Sequence, residues 1–296
     1  MRVFGWPKIQ KMISNDFITV LYYNIMSKTI DYEFNDFSSI VINKSYFKER
    51  FTYFKIICEK TNKICMVAYC SILQKLCFLK VLISNHNSQF DTSVFDILKN
   101  ISHPNIENIY DIIKNDDLTL ILSEYIEGKN LAEYNGILNN QLVKKIINQT
   151  YNALNYIHNN NILHGDIKLE NIMITNENNI KLIDFDLSKI CDNYISSKTL
   201  FGSENYIAPE SFDLQIYSKR SDIWSFGVSL YKLLLGKFPY IFKPNKFRHM
   251  YIRNNFKLLD FKELDKLSNR YDQTIICAIK NMLNFVDDSR PLSIKF

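Results

Sequence analysis

The chain has 296 residues, 47% of them hydrophobic, 14% aromatic and 23% charged, with a formal net charge of +5. This mix excludes a disordered, collagen-like or disulfide-stapled chain and supplies enough apolar residues for one large domain or two lobes. The mild positive charge sits on scattered lysines, reads as a solvated surface compatible with an anionic ligand, and gives no reason to expect nucleic acid.

Residues 1–40 show no clear period and read as an N-terminal extension. Within it, residues 17–26 follow two lysines and faintly resemble a signal peptide, but they lack a small-residue cleavage site, so a docked segment is expected. No apolar run approaches the roughly 20 residues of a membrane span, and a soluble, intracellular (cytoplasmic) chain is expected. From residue 45 the pattern changes to short runs rich in Tyr, Phe, Ile, Val and Cys. Strands are expected over 51–59, 63–73 and 76–83, with polar breaks at 59–63 and 74–75. Apolar residues at 94, 97, 98 and 101 predict a helix over 93–101, closed by Ser102, His103, Pro104 and Asn105. Two more strand-like runs, 106–113 and 118–126, flank a turn at Asn115, Asp116 and Asp117. Residues 41–127 therefore read as a small sheet with one helix.

From 128 to 296 the character is helical. Apolar residues at 143, 146, 147, 151, 154 and 157 keep to one face of a long helix over 140–158, and 153–163 reads as a partly apolar, helix-like continuation. A polar loop follows, then a hairpin around 176–179 and helical patterns over 221–235 and 271–285. The fold class is α+β, with the change from sheet to helices at 124–130. Cys58, Cys65, Cys70, Cys77, Cys191 and Cys277 form no C-x-x-C pair and read as buried free thiols of a reducing compartment.

The polar loop, residues 164–171, holds Asp166, Lys168 and Asn171 within six residues. A carboxylate can orient a hydroxyl nucleophile, an ammonium can steady a moving phosphoryl group, and an amide can hold a metal ion. Such a trio arises by chance in any chain rich in Lys and Asn, so its weight comes from its surroundings. Eighteen residues past Asp166 stands Asp184, at the end of an apolar strand, where a carboxylate can hold Mg²⁺ with Asn171 as a second ligand. Upstream, Lys80 lies in the apolar run 77–82 and requires an anionic partner, which a nucleotide phosphate would provide. Ala208, Pro209 and Glu210 follow further on, preceded by Gly202, Ser203 and Tyr206.

In order and spacing these elements resemble the eukaryotic protein kinase family over roughly residues 45–296. The resemblance implies a two-lobed kinase fold acting as a monomer on a protein substrate, with ATP and Mg²⁺ (or Mn²⁺). It makes Asp166 the catalytic aspartate with Lys168 beside it, Lys80 the nucleotide-anchoring lysine, and Asn171 and Asp184 the metal ligands. Residues 123–126 take the place of the interlobe hinge, with the backbone at Glu124 and Ile126 reading adenine and Ser123 as a small gatekeeper. Asn130 falls where the family meets the ribose, and Met173 would floor the base. Asp222 resembles the buried helix aspartate that ties down the catalytic loop, and Glu210 and Arg290 resemble the family's buried ion pair. Lys168 together with Ser203 is similar to the serine/threonine-specific branch, with the Ser203 hydroxyl bridging Asp166 and Lys168.

The departures concentrate in the first lobe. No glycine lies between Gly5 and Gly128, so the glycine-rich loop whose backbone closes over phosphates is missing. Lys60, Thr61, Asn62 and Lys63 occupy that hairpin; either Lys60 and Lys63 replace backbone donors with side-chain charge, or the segment is a solvated turn. The helix acid that should pair with Lys80 falls on Val94, and Asp91, about one turn earlier, is the expected stand-in. Phe78 replaces a small residue that roofs the adenine in the family; its ring is expected to crowd the base unless the first lobe is displaced, and to be able to fill the space opened by Ser123. Gly165 replaces the arginine that clamps a phosphorylated activation segment, so phosphorylation at Ser196, Ser197 or Thr199 is not expected to be required. Asp186 replaces the glycine after Phe185, and Asp tolerates left-handed backbone angles. The leading functional reading is an active serine/threonine kinase. The alternative is a pseudokinase that binds or scaffolds, and a small-molecule kinase suits the activation segment less well.

Overall fold

A computed structural model describes residues 49–60, 62–83, 90–114, 118–240, 259 and 261–292. The extension over 1–40, Thr61 and the turn at 115–117 lie outside the described residues. The chain divides into two compact units, Met1–Phe51 and Thr52–Phe296. Apart from Phe51, the first residue of β1, the strands and helices named below lie in the second.

Its first part is a five-stranded sheet of β1 (Phe51–Lys60), β2 (Lys63–Cys70), β3 (Lys75–Ile83), β4 (Ile109–Lys114) and β5 (Leu118–Glu124), in the order β1-β2-β3-β5-β4. The β2–β3, β3–β5 and β4–β5 ladders are antiparallel. In the middle of β2, Ile64, Cys65, Met66, Val67 and Ala68 are all buried, which is why the run reads as continuous rather than alternating. Helix α1 (Ser93–Leu98) buries Val94, Phe95 and Leu98 against this sheet region's core. It stops short of the expected 101 because Asn100 turns back on it, its side-chain amide donating to Asp96 O at 2.8 Å.

The chain does not become helical directly after residue 127. Strands β6 (Gly128–Asn130), β8 (Ile172–Thr175) and β9 (Ile180–Leu182) form a three-stranded antiparallel sheet, order β6-β8-β9, and β8–β9 is the expected hairpin. Helix α2 (Asn140–Asn159) starts where the Asn139 side chain accepts from Leu142 N–H at 2.8 Å. Its predicted apolar face, Val143, Ile146, Ile147, Tyr151, Leu154 and Ile157, is fully buried; each such side chain contributes roughly 2 kcal/mol on burial. The helix-like reading of 153–163 is corrected: α2 ends at Asn159, the Asn160 side chain donates to Tyr156 O, and Asn161 is left-handed with φ 57°. Ile162 and Leu163 then form β7 (Ile162–Leu163), which pairs with β10 (Lys189–Ile190).

A second small ladder joins β11 (Tyr194–Ser196) to β12 (Ile216–Ser218), on either side of helix α3 (Pro209–Leu214). Helix α4 (Lys219–Leu235) begins at a reciprocal Ser218–Ser221 capping box and ends at Gly236 with φ 72°. Helices α5 (Lys262–Asp265) and α6 (Gln273–Met282) follow. A Cβ on Gly227 would lie 2.8 Å from Met282 Cβ, so the glycine is what lets α4 and α6 approach. One apolar cluster runs from Leu82, Phe95 and Ile121 through α2 to Trp224, Phe226 and Ile275.

All six cysteines are free; Cys65, Cys70, Cys77 and Cys191 are buried, whereas Cys58 is half-buried and Cys277 exposed, contrary to expectation. Burial pushes the Cys65 and Cys77 thiols up to about 12, which leaves them unreactive. Among the described residues no helix is long and apolar enough to cross a membrane.

Candidate active site

The polar loop emerges from β7 and is pinned from below by Asp222 near the start of α4. The Asp222 carboxylate, 2% exposed, accepts from the backbone N–H of His164 and of Gly165, each at 2.9 Å, and lies 2.8 Å from His158 Nε2. Gly165 adopts φ +77°, and a Cβ there would meet the Phe201 ring at 2.9 Å and Leu187 O at 3.0 Å. The position therefore lacks an arginine and also has no room for one.

Asp166 is the hub of the loop. Its Oδ1 accepts from Ser203 N–H at 2.7 Å, and its Oδ2 accepts from Lys168 Nζ at 2.6 Å and Asn171 Nδ2 at 3.1 Å. Burial alone would raise its pKa; the hydrogen bonds from Lys168 and Ser203 and the Lys168 charge outweigh burial and hold the carboxyl below its ordinary range. Lys168 Nζ also donates to Ser203 Oγ at 2.8 Å. Ser203 thus joins the two expected partners, with a division of labour the sequence does not show: its hydroxyl meets Lys168 and its backbone meets Asp166. The Asn171 amide nitrogen is directed at Asp166 O (2.8 Å) and Oδ2, so the atom it can offer a cation is Oδ1.

Above the loop lies a compact set of charges. Lys80 Nζ contacts Asp184 Oδ1 at 2.6 Å and Asp186 Oδ1 at 2.7 Å, and Lys63 Nζ contacts Asp186 Oδ2 at 2.7 Å and Asp184 Oδ1 at 3.9 Å. The register explains the pairing of lysines. Cys65 faces Lys80 and Lys63 faces Leu82, so the two side chains stand on one face of the β2–β3 ladder. Burial would strip the proton from Lys80; the charges of Asp184, Asp186 and Glu107 more than compensate and raise its pKa. Asp184 is correspondingly depressed by Lys80 and Lys63, against the effect of its own burial. Asn171 Oδ1 and an ionised Asp184 carboxylate are hard oxygen donors and fit Mg²⁺ or Mn²⁺. Among the described residues no group of three or more His, Cys, Asp or Glu side chains forms a metal cage, so such an ion would complete its shell with phosphate oxygens and water.

Two expected residues are not drawn in. Lys60 ends β1 as an exposed side chain. Asp91 is also exposed and lies just before α1, its Oδ1 accepting from Ser93 N–H at 3.0 Å; its short side chain serves that local N–H, so the stand-in role is corrected. The acid from the first part of the chain whose charge reaches Lys80 is instead Glu107, 9% exposed, which accepts from Asp184 N–H at 2.7 Å. Burial pushes the Glu107 carboxyl up to about 7, against the pull of Lys80 and of that N–H. Sequence reasoning misses Glu107 and the ion-pairing role of Asp186. The available signal for the former is an acid between Ile106 and Ile109 in a strand-like run.

At the expected hinge, Glu124 N–H is taken by Asn108 O at 2.9 Å, so any reading of a base by this residue falls to its carbonyl. Its side chain binds Lys181 of β9 at 2.8 Å and the Asn108 amide at 3.0 Å, which ties the end of β5 to the second sheet. Ile126 is half-buried. Phe78 stands directly opposite Ser123 in the β3–β5 ladder, so the half-buried ring and the buried small residue share a face. Asn130 and the half-buried Met173 are register partners in β6–β8, and Asn130 Oδ1 accepts from Glu133 N–H at 3.0 Å.

The segment from Asp184 to Glu210 is held by strand pairing and ring stacking. β11 pairs with β12, Ser197 N–H donates to Gln215 O at 3.0 Å, and Phe201 stacks on Tyr217 with centroids 3.8 Å apart. Where the segment meets α3, Arg290, 1% exposed, makes a two-pronged pair with Glu210 at 2.7 and 2.8 Å and lies over the Trp224 ring.

An antiparallel five-stranded sheet with one helix, a mainly helical second part and a lysine–aspartate cleft define a two-lobed kinase-type α+β protein. Residues 74–295 match the protein kinase domain, and the chain belongs to that family. The match begins after β2, so the hairpin without glycines lies outside it. Serine/threonine-protein kinase PrkC of Bacillus subtilis (strain 168) is 37% identical over 145 residues, 47% of this chain and 22% of the relative. Serine/threonine-protein kinase cds1 of Schizosaccharomyces pombe is 36% identical over 155 residues, 49% of this chain and 34% of the relative. The hormonally up-regulated neu tumor-associated kinase of Homo sapiens is 31% identical over 198 residues, 64% of this chain and 27% of the relative. The chain thus spans about a third or less of the length of these relatives.

Proposed function

We propose that this chain is a serine/threonine protein kinase, transferring the γ-phosphoryl group of ATP to a hydroxyl of a protein substrate. The observation that carries the reading is the Asp166 cluster: an ionised carboxylate 2.6 Å from Lys168, beside Asn171 and below Asp184, is the charge layout that phosphoryl transfer requires. Asn171 and Asp184 would hold Mg²⁺ or Mn²⁺, which when bound neutralises charge on the phosphate oxygens. Lys80 and Lys63 would exchange Asp186 for the phosphates of ATP and so take over anchoring from the missing glycine loop. The adenine would lie against Met173 and be read at Glu124 and Ile126, with Asn130 beside the ribose. Asp166 would accept the proton of the substrate hydroxyl as its oxygen bonds to the γ-phosphorus and the bond to ADP breaks; Lys168 would steady the charge on the transferring group.

The direct test is phosphorylation of a generic basic protein by the wild-type chain with and without Mg²⁺, together with a measurement of ATP binding. Metal-dependent incorporation on Ser or Thr is expected. Absence of both turnover and nucleotide binding at millimolar ATP would instead favour the pseudokinase reading.

Activation is expected to need no phosphate on the activation segment, because β11–β12 pairing and the Phe201–Tyr217 stack already hold it and Gly165 provides no clamp. A variant with alanine at Ser196, Ser197 and Thr199 should keep its rate within about threefold of wild type, the scale of lost exposed hydrogen bonds. A large loss with folding intact would show that a phosphate is required.

A further inference from the structure

Glu107 is a buried carboxylate for which the phosphoryl-transfer scheme has no use. It sits in the connection between α1 and β4, and that connection is stitched to β9: Leu182 N–H donates to Asn105 O at 2.8 Å, Glu107 N–H donates to Leu182 O at 2.9 Å, and Ile106 bridges Leu182 in parallel. With its backbone fixed one step from the end of β9, its carboxylate reaches the next N–H along, that of Asp184, at 2.7 Å.

The peptide unit receiving this contact is held on both sides. Its N–H belongs to Asp184 and donates to Glu107; its C=O belongs to Ile183 and lies 3.1 Å from His164 Nε2. Burial keeps the His164 ring neutral, and its Nδ1 takes the Asp166 N–H at 3.3 Å, which leaves Nε2 as the donor to Ile183 O. A continuous line of hydrogen bonds thus runs from the Asp166 backbone through His164 and the 183–184 peptide to Glu107. The clamp matters because Asp184 adopts φ 66°, a left-handed conformation that Asp tolerates better than most residues but that still needs a fixed peptide plane to aim its carboxylate.

We infer that Glu107 is a positioning residue of the nucleotide site, fixing the 183–184 peptide plane and thereby aiming the Asp184 carboxylate. The inference rests on the kinase reading of the site. An acid at this place does from the α1–β4 connection what nothing on α1 does, since Val94 is buried in the core and Asp91, just before the helix, takes the Ser93 N–H. Glu107 touches neither metal nor phosphate in this scheme; it acts through Asp184.

The experiment compares wild type, Glu107→Val and Glu107→Gln for KM of ATP, kcat, the Mg²⁺ concentration giving half-maximal rate, and thermal midpoint. Valine removes the acceptor and leaves the buried Asp184 N–H unpaired, so the thermal midpoint should fall by a few degrees. ATP KM and the Mg²⁺ requirement should rise about tenfold, the scale of one lost charge-assisted hydrogen bond. Glutamine keeps a carbonyl acceptor for Asp184 N–H and should restore both to within about threefold. A valine variant with wild-type KM and Mg²⁺ requirement would overturn the inference, as would a glutamine variant as impaired as valine, or an equal rise in KM and Mg²⁺ requirement in Ile275→Val, a core change that lowers the thermal midpoint without touching the 183–184 peptide. Those outcomes presuppose an active wild type. A wild type without turnover or ATP binding would overturn the kinase reading itself, and this inference with it.

Discussion

Asp166→Asn is expected to cut the rate of phosphoryl transfer by about 10²–10⁴-fold, the span a positioned general base contributes, while ATP affinity changes by less than about threefold. Asparagine is the informative replacement because it keeps one oxygen to accept from Ser203 N–H, and Lys168 Nζ still donates to Ser203 Oγ, so the loop and activation segment stay joined. Alanine would remove the acceptor of three donors at once and confound chemistry with folding. Single-turnover assays at saturating Mg-ATP check the rate, and equilibrium nucleotide binding checks the affinity. The sign of the pH dependence comes from the depressed pKa. The carboxylate stays charged through the neutral range, so kcat should be flat there and fall only as pH drops through that lowered value. Its contribution to stability has the same sense, present above the unfolded carboxyl value and lost as pH falls through the folded one. A rate in Asp166→Asn close to wild type would remove Asp166 from the chemistry.

The parts of the site legible in the sequence are those fixed by short spacing. Asp166, Lys168 and Asn171 lie on one loop, and local geometry alone brings them within reach of one another. Lys80 betrays itself as a cation in an apolar strand, and Glu210 with Arg290 as matched charges in recognisable surroundings. The five strands are likewise readable from runs of β-branched and aromatic residues, and the long helices from their periods. What stays hidden depends on register and on contacts across the chain. Lys63 meets Asp186 across 123 positions and Glu107 meets Asp184 across 77, and neither pairing can be read from any period. Asp91 misleads for the same reason: helical spacing locates it roughly, but a nearer N–H takes its carboxylate. The two-residue strands and the early end of α2 escape because asparagine side chains competing for backbone carbonyls leave no hydrophobic signature.

The second large effect is expected at the paired lysines. Lys80→Ala should lower kcat/KM for ATP by about 10²-fold, the scale of removing one partner from a buried charge pair, and Lys63→Ala by about tenfold. In a site with a glycine loop the phosphates meet backbone N–H groups, and a second lysine would add little. Here the hairpin offers no glycine, so the Lys63 ammonium, 22% exposed and already holding a carboxylate at 2.7 Å, is the donor positioned to replace them. The two effects should not add. Both lysines bind Asp186, so nucleotide binding would exchange one anion for another, and loss of either lysine leaves Asp186 held by the other alone. Lys80 carries the larger share because it also contacts Asp184 and is 8% exposed at its side chain, where water screens least. Its raised pKa keeps it charged well above neutrality, so neither defect should be relieved by a change of pH in the physiological range. Steady-state kinetics on the two single variants and the double variant yield the coupling. A Lys63→Ala enzyme with wild-type KM for ATP would mean that the hairpin is a solvated turn and that Lys80 anchors the phosphates alone.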